Sequence, residues 1–78
     1  MEAVEVTARF APDGKITPLR FTWNGDIYAV TATGRRWQDE AGGHFLVMVP
    51  GDRVYELVFN AAEARWYLKT AGVQHPRA

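Results

Sequence analysis

The chain has 78 residues, nine Lys plus Arg against nine Asp plus Glu, and an apolar fraction of 47%. That length holds a single domain with little core to spare, the apolar fraction excludes disorder, and the balanced charge excludes a global field for nucleic acid or anionic membranes. Cysteine and serine are both absent, which removes disulfides, thiolate zinc sites, thiol catalysis and the commonest acyl-transfer nucleophile.

The first predicted strand is marked by alternation. Val4, Val6, Ala8 and Phe10 share one face, with Glu5, Thr7 and Arg9 on the other. Pro12-Asp13-Gly14 ends it as a turn. A second strand runs from about Ile16 to Trp23, with Pro18 pointing to an edge or a bulge. Asn24-Gly25 is the preferred pair for a two-residue type I′ turn, so Trp23 should face Asp26, Phe21 should face Tyr28 and Leu19 should face Val30. Leu19, Phe21, Trp23, Tyr28, Val30 and Ala32 then form one apolar face, with Arg20, Thr22, Ile27, Ala29 and Thr31 on the other.

The third strand is expected to reach about Thr33, with Arg35 to Gln38 a short extended piece that continues it after Gly34. Asp39 to Gly43 reads as a polar loop. His44 to Val49 and Arg53 to Phe59 form a second hairpin around Pro50-Gly51-Asp52, and Arg65 to about Thr70 forms the last strand. Between these, Asn60 with Glu63 makes a capping-box pattern, so one helical turn near Asn60 is allowed. A four-residue loop after Phe59 would pair Leu57 with Trp66, Tyr55 with Leu68, and Glu56 with Tyr67. The sum is an all-β fold: about six short antiparallel strands in a meander, forming a small barrel or strongly twisted sheet of SH3-like size. Residues 1–70 are the expected single domain and 71–78 a flexible tail.

In the middle hairpin Phe45, Leu46, Val47, Met48 and Val49 are apolar without alternation, so both faces of that strand are greasy. A chain this short supplies little to cover a second face, which makes these five residues the candidates for self-association into a homodimer.

Chemistry is sparse. His44 and His75 are the only general bases of the imidazole type, and His44 opens a strand beside Phe45 as a structural histidine would. Two histidines without cysteines or spaced carboxylates form no metal site, and Gly42-Gly43 precedes a strand, not the helix N-terminus of a phosphate loop. No cofactor, no metal and no enzyme activity are expected. One basic and aromatic constellation remains: Arg35, Arg36 and Trp37 with Arg65, Tyr67 and Lys69, beside Arg20 and Trp66. Arginines next to stacking aromatics on a small β-barrel are how OB-type folds hold single strands, so these six are the candidate partner or nucleic-acid surface. The opening Met1-Glu2-Ala3-Val4-Glu5-Val6 lacks the basic start of a signal peptide, and no run approaches a membrane span, so a soluble cytoplasmic protein without membrane contact is expected.

The pattern Phe21-x-Trp23-x-Gly25-x-x-Tyr28-x-Val30, then Arg36-Trp37, His44-Phe45-x-Val47, Tyr55-Glu56-Leu57 and Arg65-Trp66-Tyr67-Leu68 resembles a family of small bacterial domains of unknown function. Members of that family occur alone or appended to proteins similar to Y-family DNA polymerases. The resemblance spans about Arg20 to Lys69, lacks the doubled tryptophan of the family's central loop, and carries over no catalytic residue. It implies a DNA-repair setting. The expected function is a non-enzymatic interaction module presenting a β-sheet surface to a protein partner or to itself. The alternative is a single-stranded nucleic-acid-binding accessory domain.

Overall fold

The computed structural model describes residues 1–69; the expected tail of 71–78 lies outside them. Seven antiparallel strands follow one another: β1 (Glu2–Phe10), β2 (Ile16–Trp23), β3 (Asp26–Ala29), β4 (Ala32–Asp39), β5 (Gly42–Val49), β6 (Arg53–Asn60) and β7 (Arg65–Lys69). They form one sheet in the order β3-β2-β1-β7-β6-β5-β4, curled into a half-barrel. The curl is concentrated at β1, whose Glu2 to Val4 pair with β7 while Glu5 to Phe10 pair with β2. The capping-box segment forms a hydrogen-bonded turn and no helix: Asn60 Oδ1 accepts from the Glu63 N–H, and Ala64 N–H donates to the Ala61 carbonyl.

The Asn-Gly hairpin has the predicted turn and register. Asn24 (φ 53°) and Gly25 (φ 82°) are both left-handed, and Trp23 faces Asp26 while Phe21 faces Tyr28. Its apolar face is shorter than expected. The register against β1 slips between Thr7 and Ala8, with Ala8 opposite Pro18 and Thr7 opposite Arg20, so Leu19 is the extra residue of a bulge. Pro18 takes the buried position and Leu19 is 44% exposed.

Three expectations of strand layout are corrected. Residues 32–39 do not prolong β3; the chain breaks at Val30-Thr31 and crosses to the opposite end of the sheet order, where β4 pairs with β5 and bulges between Thr33 and Arg36. The loop from Asp39 to Gly43 is a two-residue turn, Glu40-Ala41, with Gly42 at φ 136° already paired to Asp39. The β6–β7 loop starts after Asn60, so Leu57 faces Leu68, Phe59 faces Trp66 and Glu56 faces Lys69. That shift of two leaves the core faces unchanged, because side chains alternate with period two.

The concave face holds the core. Phe21, Val47, Val49, Leu57 and Leu68 are buried there with Phe45 and Trp66, and Val4, Val6, Ala8 and Ile16 pack against them. Phe10 is not part of it: it is 58% exposed and touches only the edge of Phe59 among the aromatic pairs. One end of the half-barrel is closed by rings, with Phe21 stacked on Tyr28 at 5.1 Å and Tyr55 edge-on to Phe21, Trp23 and Tyr28. The other end stays open. Since β3 has four residues and pairs only with Arg20 to Trp23, the Ile16 to Pro18 stretch of β2 has no strand on its outer side, and a seam lies between it and β4.

Candidate functional site

Two faces of β4 carry two different constellations, because successive side chains point to opposite sides of a strand. On the convex side a row of cross-strand neighbours runs Trp37, His44, Val58, Tyr67, Ala3 across β4, β5, β6, β7 and β1. Trp37 stacks on His44, ring centroids 4.9 Å apart and planes within 9°. The Arg35 guanidinium lies 5.3 Å from the Trp37 ring. His44 is buried, with Nδ1 2.7 Å from Glu56 Oε2 and Nε2 2.7 Å from Asp39 Oδ1.

A carboxylate accepts hydrogen bonds, so an arrangement with one on each ring nitrogen of His44 favours the imidazolium, which donates from both. Burial opposes that charge, but the hydrogen bonds to Glu56 and Asp39 outweigh it and raise the His44 pKa above its ordinary 6.5. The same bond from His44 holds the Asp39 carboxyl below its ordinary 3.8. Asp39 Oδ1 also accepts from the Ala41 N–H, which ties the pair to the tight turn. Lys69 Nζ completes the network 4.0 Å from Glu56. Both ring nitrogens of His44 are engaged by carboxylates of the domain itself. Among the described residues no group of three or more His, Asp or Glu side chains is placed to hold a metal ion.

The six basic and aromatic candidates do not form one strip. Arg35 and Trp37 are on convex β4, and Arg65, Tyr67 and Lys69 are on convex β7, three strand spacings or about 14 Å away. Between them lie β5 and β6, which carry His44 and Glu56 on that side. The Tyr67 hydroxyl donates to Glu63 at 2.6 Å, and that bond raises its pKa above the ordinary 10.0. Arg36 belongs to the opposite face. Its guanidinium lies 5.4 Å from the Phe45 ring centre and donates to the Ile16 carbonyl across the seam.

The five self-association candidates also divide. Phe45, Val47 and Val49 are interior, whereas Met48 on the convex side is 37% exposed beside its cross-strand neighbour Val54 at 38%, with Leu46 half-buried next to them. The surplus apolar surface is therefore a short strip, and most of the run was core.

Sequence reasoning passed over Lys15 and the seam itself. There the β1–β2 turn (Gly14, Lys15, Ile16) faces the β4–β5 hairpin (Arg36, Gln38, Gly42, Gly43) over Phe45 and Phe59, enclosing a groove of about 410 Å³. That volume falls within the range of about 300–1,000 Å³ usual for binding sites. Its lining includes Lys15, Arg36 and His44 and no carboxylate, and among the described residues neither Lys15 nor Arg36 is in an ion pair, whereas His44 is held by Asp39 and Glu56. No helix among the described residues is long and apolar enough to cross a membrane. Compared with family models, with curated proteins and with solved structures, the chain matches none, so the likeness to the polymerase-associated domains rests on the quoted motifs alone.

Proposed function

We propose that this domain is a non-enzymatic interaction module that receives an extended segment of a protein partner in the seam between β2 and β4. The observation that carries this reading is the shortness of β3, which leaves Ile16 to Pro18 without a strand neighbour on the seam side. An added strand would find backbone partners there, the mode in which sheets take up extended peptides. The other free edges suit a partner less well. On β3 the exposed Ile27 and the neighbouring Asp26 offer no groove floor of the kind that Phe45 and Phe59 give the seam, and along β4 the ladder is interrupted by a bulge between Thr33 and Arg36, so β2 is the wall of the seam that supplies the pairing.

Single-stranded nucleic acid is the weaker reading. Stacking a base needs an aromatic face open to solvent. Trp37 already stacks on His44, Trp66 is 8% exposed, and the basic residues fall into separate groups with Asp39, Glu56 and Glu63 near them. An accessory role in DNA repair, which the motif resemblance implies, is compatible with a protein-binding seam.

Selection of displayed random peptides against the folded domain tests this reading. The winners should perturb backbone NMR signals of residues 15–18 and 36–43, and lose binding when Gln38 is replaced by a bulky Trp. Peptides that map instead to Met48 and Val54 would move the binding face to the convex strip and refute the seam.

A further inference from the structure

Resting on the seam as the binding site, we infer that the segment it accepts carries an acidic side chain, read by Arg36 and Lys15. The chain as a whole is neutral, yet the groove concentrates two positive side chains and excludes every negative one from its lining. Of the acids that flank it, Asp39 on the β4–β5 hairpin is committed to His44 through a 2.7 Å bond, and Asp13 on the β1–β2 turn accepts from the Lys15 backbone N–H at 2.9 Å. Arg36 is the distinctive member. A guanidinium presents five N–H donors in a planar fork suited to a carboxylate, and here it is bonded to a neutral backbone carbonyl, that of Ile16. Exchanging that carbonyl for a carboxylate replaces a neutral acceptor by a charged one, with no ion pair to break first.

The Ile16 carbonyl that Arg36 occupies is on the stretch of β2 left without a strand neighbour. A peptide strand entering the seam therefore supplies both halves of an exchange: its backbone N–H takes over the Ile16 carbonyl, and its acidic side chain takes over the released guanidinium. Lys15, at the mouth, adds a second positive charge without a fixed geometry. Phe45 and Phe59 beneath make the groove floor apolar, which favours β-branched or other apolar residues on either side of the acid. A phosphodiester strand would satisfy the cations but has no use for the strand edge.

The test uses three probes on the whole protein: a capped pentapeptide with one glutamate between valines, the same peptide with glutamine, and a ten-nucleotide single strand of thymidines. Binding is followed by two-dimensional amide NMR up to millimolar ligand, with Arg36→Gln and Lys15→Gln beside the wild type and their amide spectra recorded first to establish the native fold. The glutamate peptide should shift seam residues and bind at least about tenfold more tightly than the glutamine peptide, and Arg36→Gln should erase that preference. Equal binding of both peptides at the seam would overturn the acidic-side-chain inference and leave the interaction module standing. Binding of the oligonucleotide alone, dependent on Arg36, would overturn both in favour of a nucleic-acid site. Silence from all three probes would overturn the inference and remove the support for the seam.

Discussion

Replacing Gly42 by Ala should be among the most damaging small substitutions in the domain, while the same change at Gly43 should be harmless. A Cβ built on Gly42 would lie 2.2 Å from the Phe59 carbonyl oxygen and 2.9 Å from its carbon. Ordinary carbon-to-oxygen contacts start near 3.3 Å, so the backbones must separate by about 1 Å. Neither atom is the end of a flexible side chain, and the next residue pairs with Phe59, so the movement pulls on the β5–β6 ladder. Overpacking of this kind costs about 1–3 kcal/mol, and holding alanine at φ 136° adds strain of similar size. Allowing for partial relaxation, the loss should be at least ~2 kcal/mol, a large share of the roughly 4–12 kcal/mol that a domain of this size has. At Gly43 the new methyl would meet the Phe45 ring at 3.6 Å, ordinary contact with no left-handed backbone. Removing a strand glycine there should gain up to about 1 kcal/mol. Urea denaturation followed by tryptophan fluorescence gives both numbers, and thermal melting should put Gly42→Ala at least ~10 °C below the wild type. A Gly42→Ala midpoint within ~0.5 kcal/mol of wild type, or a larger loss at Gly43, would refute the tight-turn geometry and the close approach of β5 to β6.

Four further outcomes can be measured with the same tools. Because the folded pKa of His44 is raised above 6.5, its contribution is fully present below that pH and is lost as the pH climbs through the folded value; Asp39, lowered below 3.8, contributes above 3.8 and loses its share as the pH falls through its folded value. Stability should therefore decline as the pH rises above 6.5, and His44→Gln should flatten that decline; an unchanged slope would mean that the imidazolium is not held between the carboxylates. Gly25→Val should cost more than ~1 kcal/mol, since a β-branched residue fits φ > 0 poorly, and an unshifted denaturant midpoint would contradict the type I′ turn. Val47→Lys should unfold the protein by forcing a charge into a fully buried site, whereas Met48→Lys should leave it folded. If the convex strip mediates self-association, sedimentation should show a wild-type dimer at micromolar concentration that Met48→Lys converts to a monomer; a wild type that stays monomeric at high concentration ends that idea.

Sequence reasoning was strongest where a turn declares itself chemically. Asn24-Gly25 announced both left-handed residues and hence the pairing of Phe21 with Tyr28, and Pro18 announced an irregular strand. It was weakest where register depends on one residue of loop length. Reading Asp39 to Gly43 as an open loop hid the two-residue turn, and with it the pairing of Trp37 with His44 that brings Asp39 to the ring. The signal was present: an aspartate that can accept from the backbone two residues on, followed by a glycine able to take the positive φ where the turn rejoins the strand. Lys69 joined the network only because β7 sits two residues further along than a loop beginning at Asn60 would place it, which sets Lys69 and not Tyr67 opposite Glu56. The seam could not be read at all, since it arises from the unequal lengths of β2, β3 and β4 and from a crossover between distant parts of the sheet, neither of which leaves a local pattern.

The placement of β7 has a consequence for how the molecule comes together in time. Among the described residues it is the strand whose ladders join the β1–β3 group to the β4–β6 group, although it is the last strand in the described chain. Hairpins β2–β3 and β5–β6 can form as soon as they are synthesised, because each closes over two or three residues. Joining the groups must wait for Leu68 to meet Glu2, nearly a full chain length away. Until then the first residues of β1 and the whole outer edge of β6 are unpaired strand edges in a nascent chain, the condition in which β-rich sequences recruit one another. Acquisition of native structure should thus be abrupt and late, with polypeptides ending before Arg65 remaining as two unjoined fragments of sheet and refolding of the whole chain paced by this most distant contact.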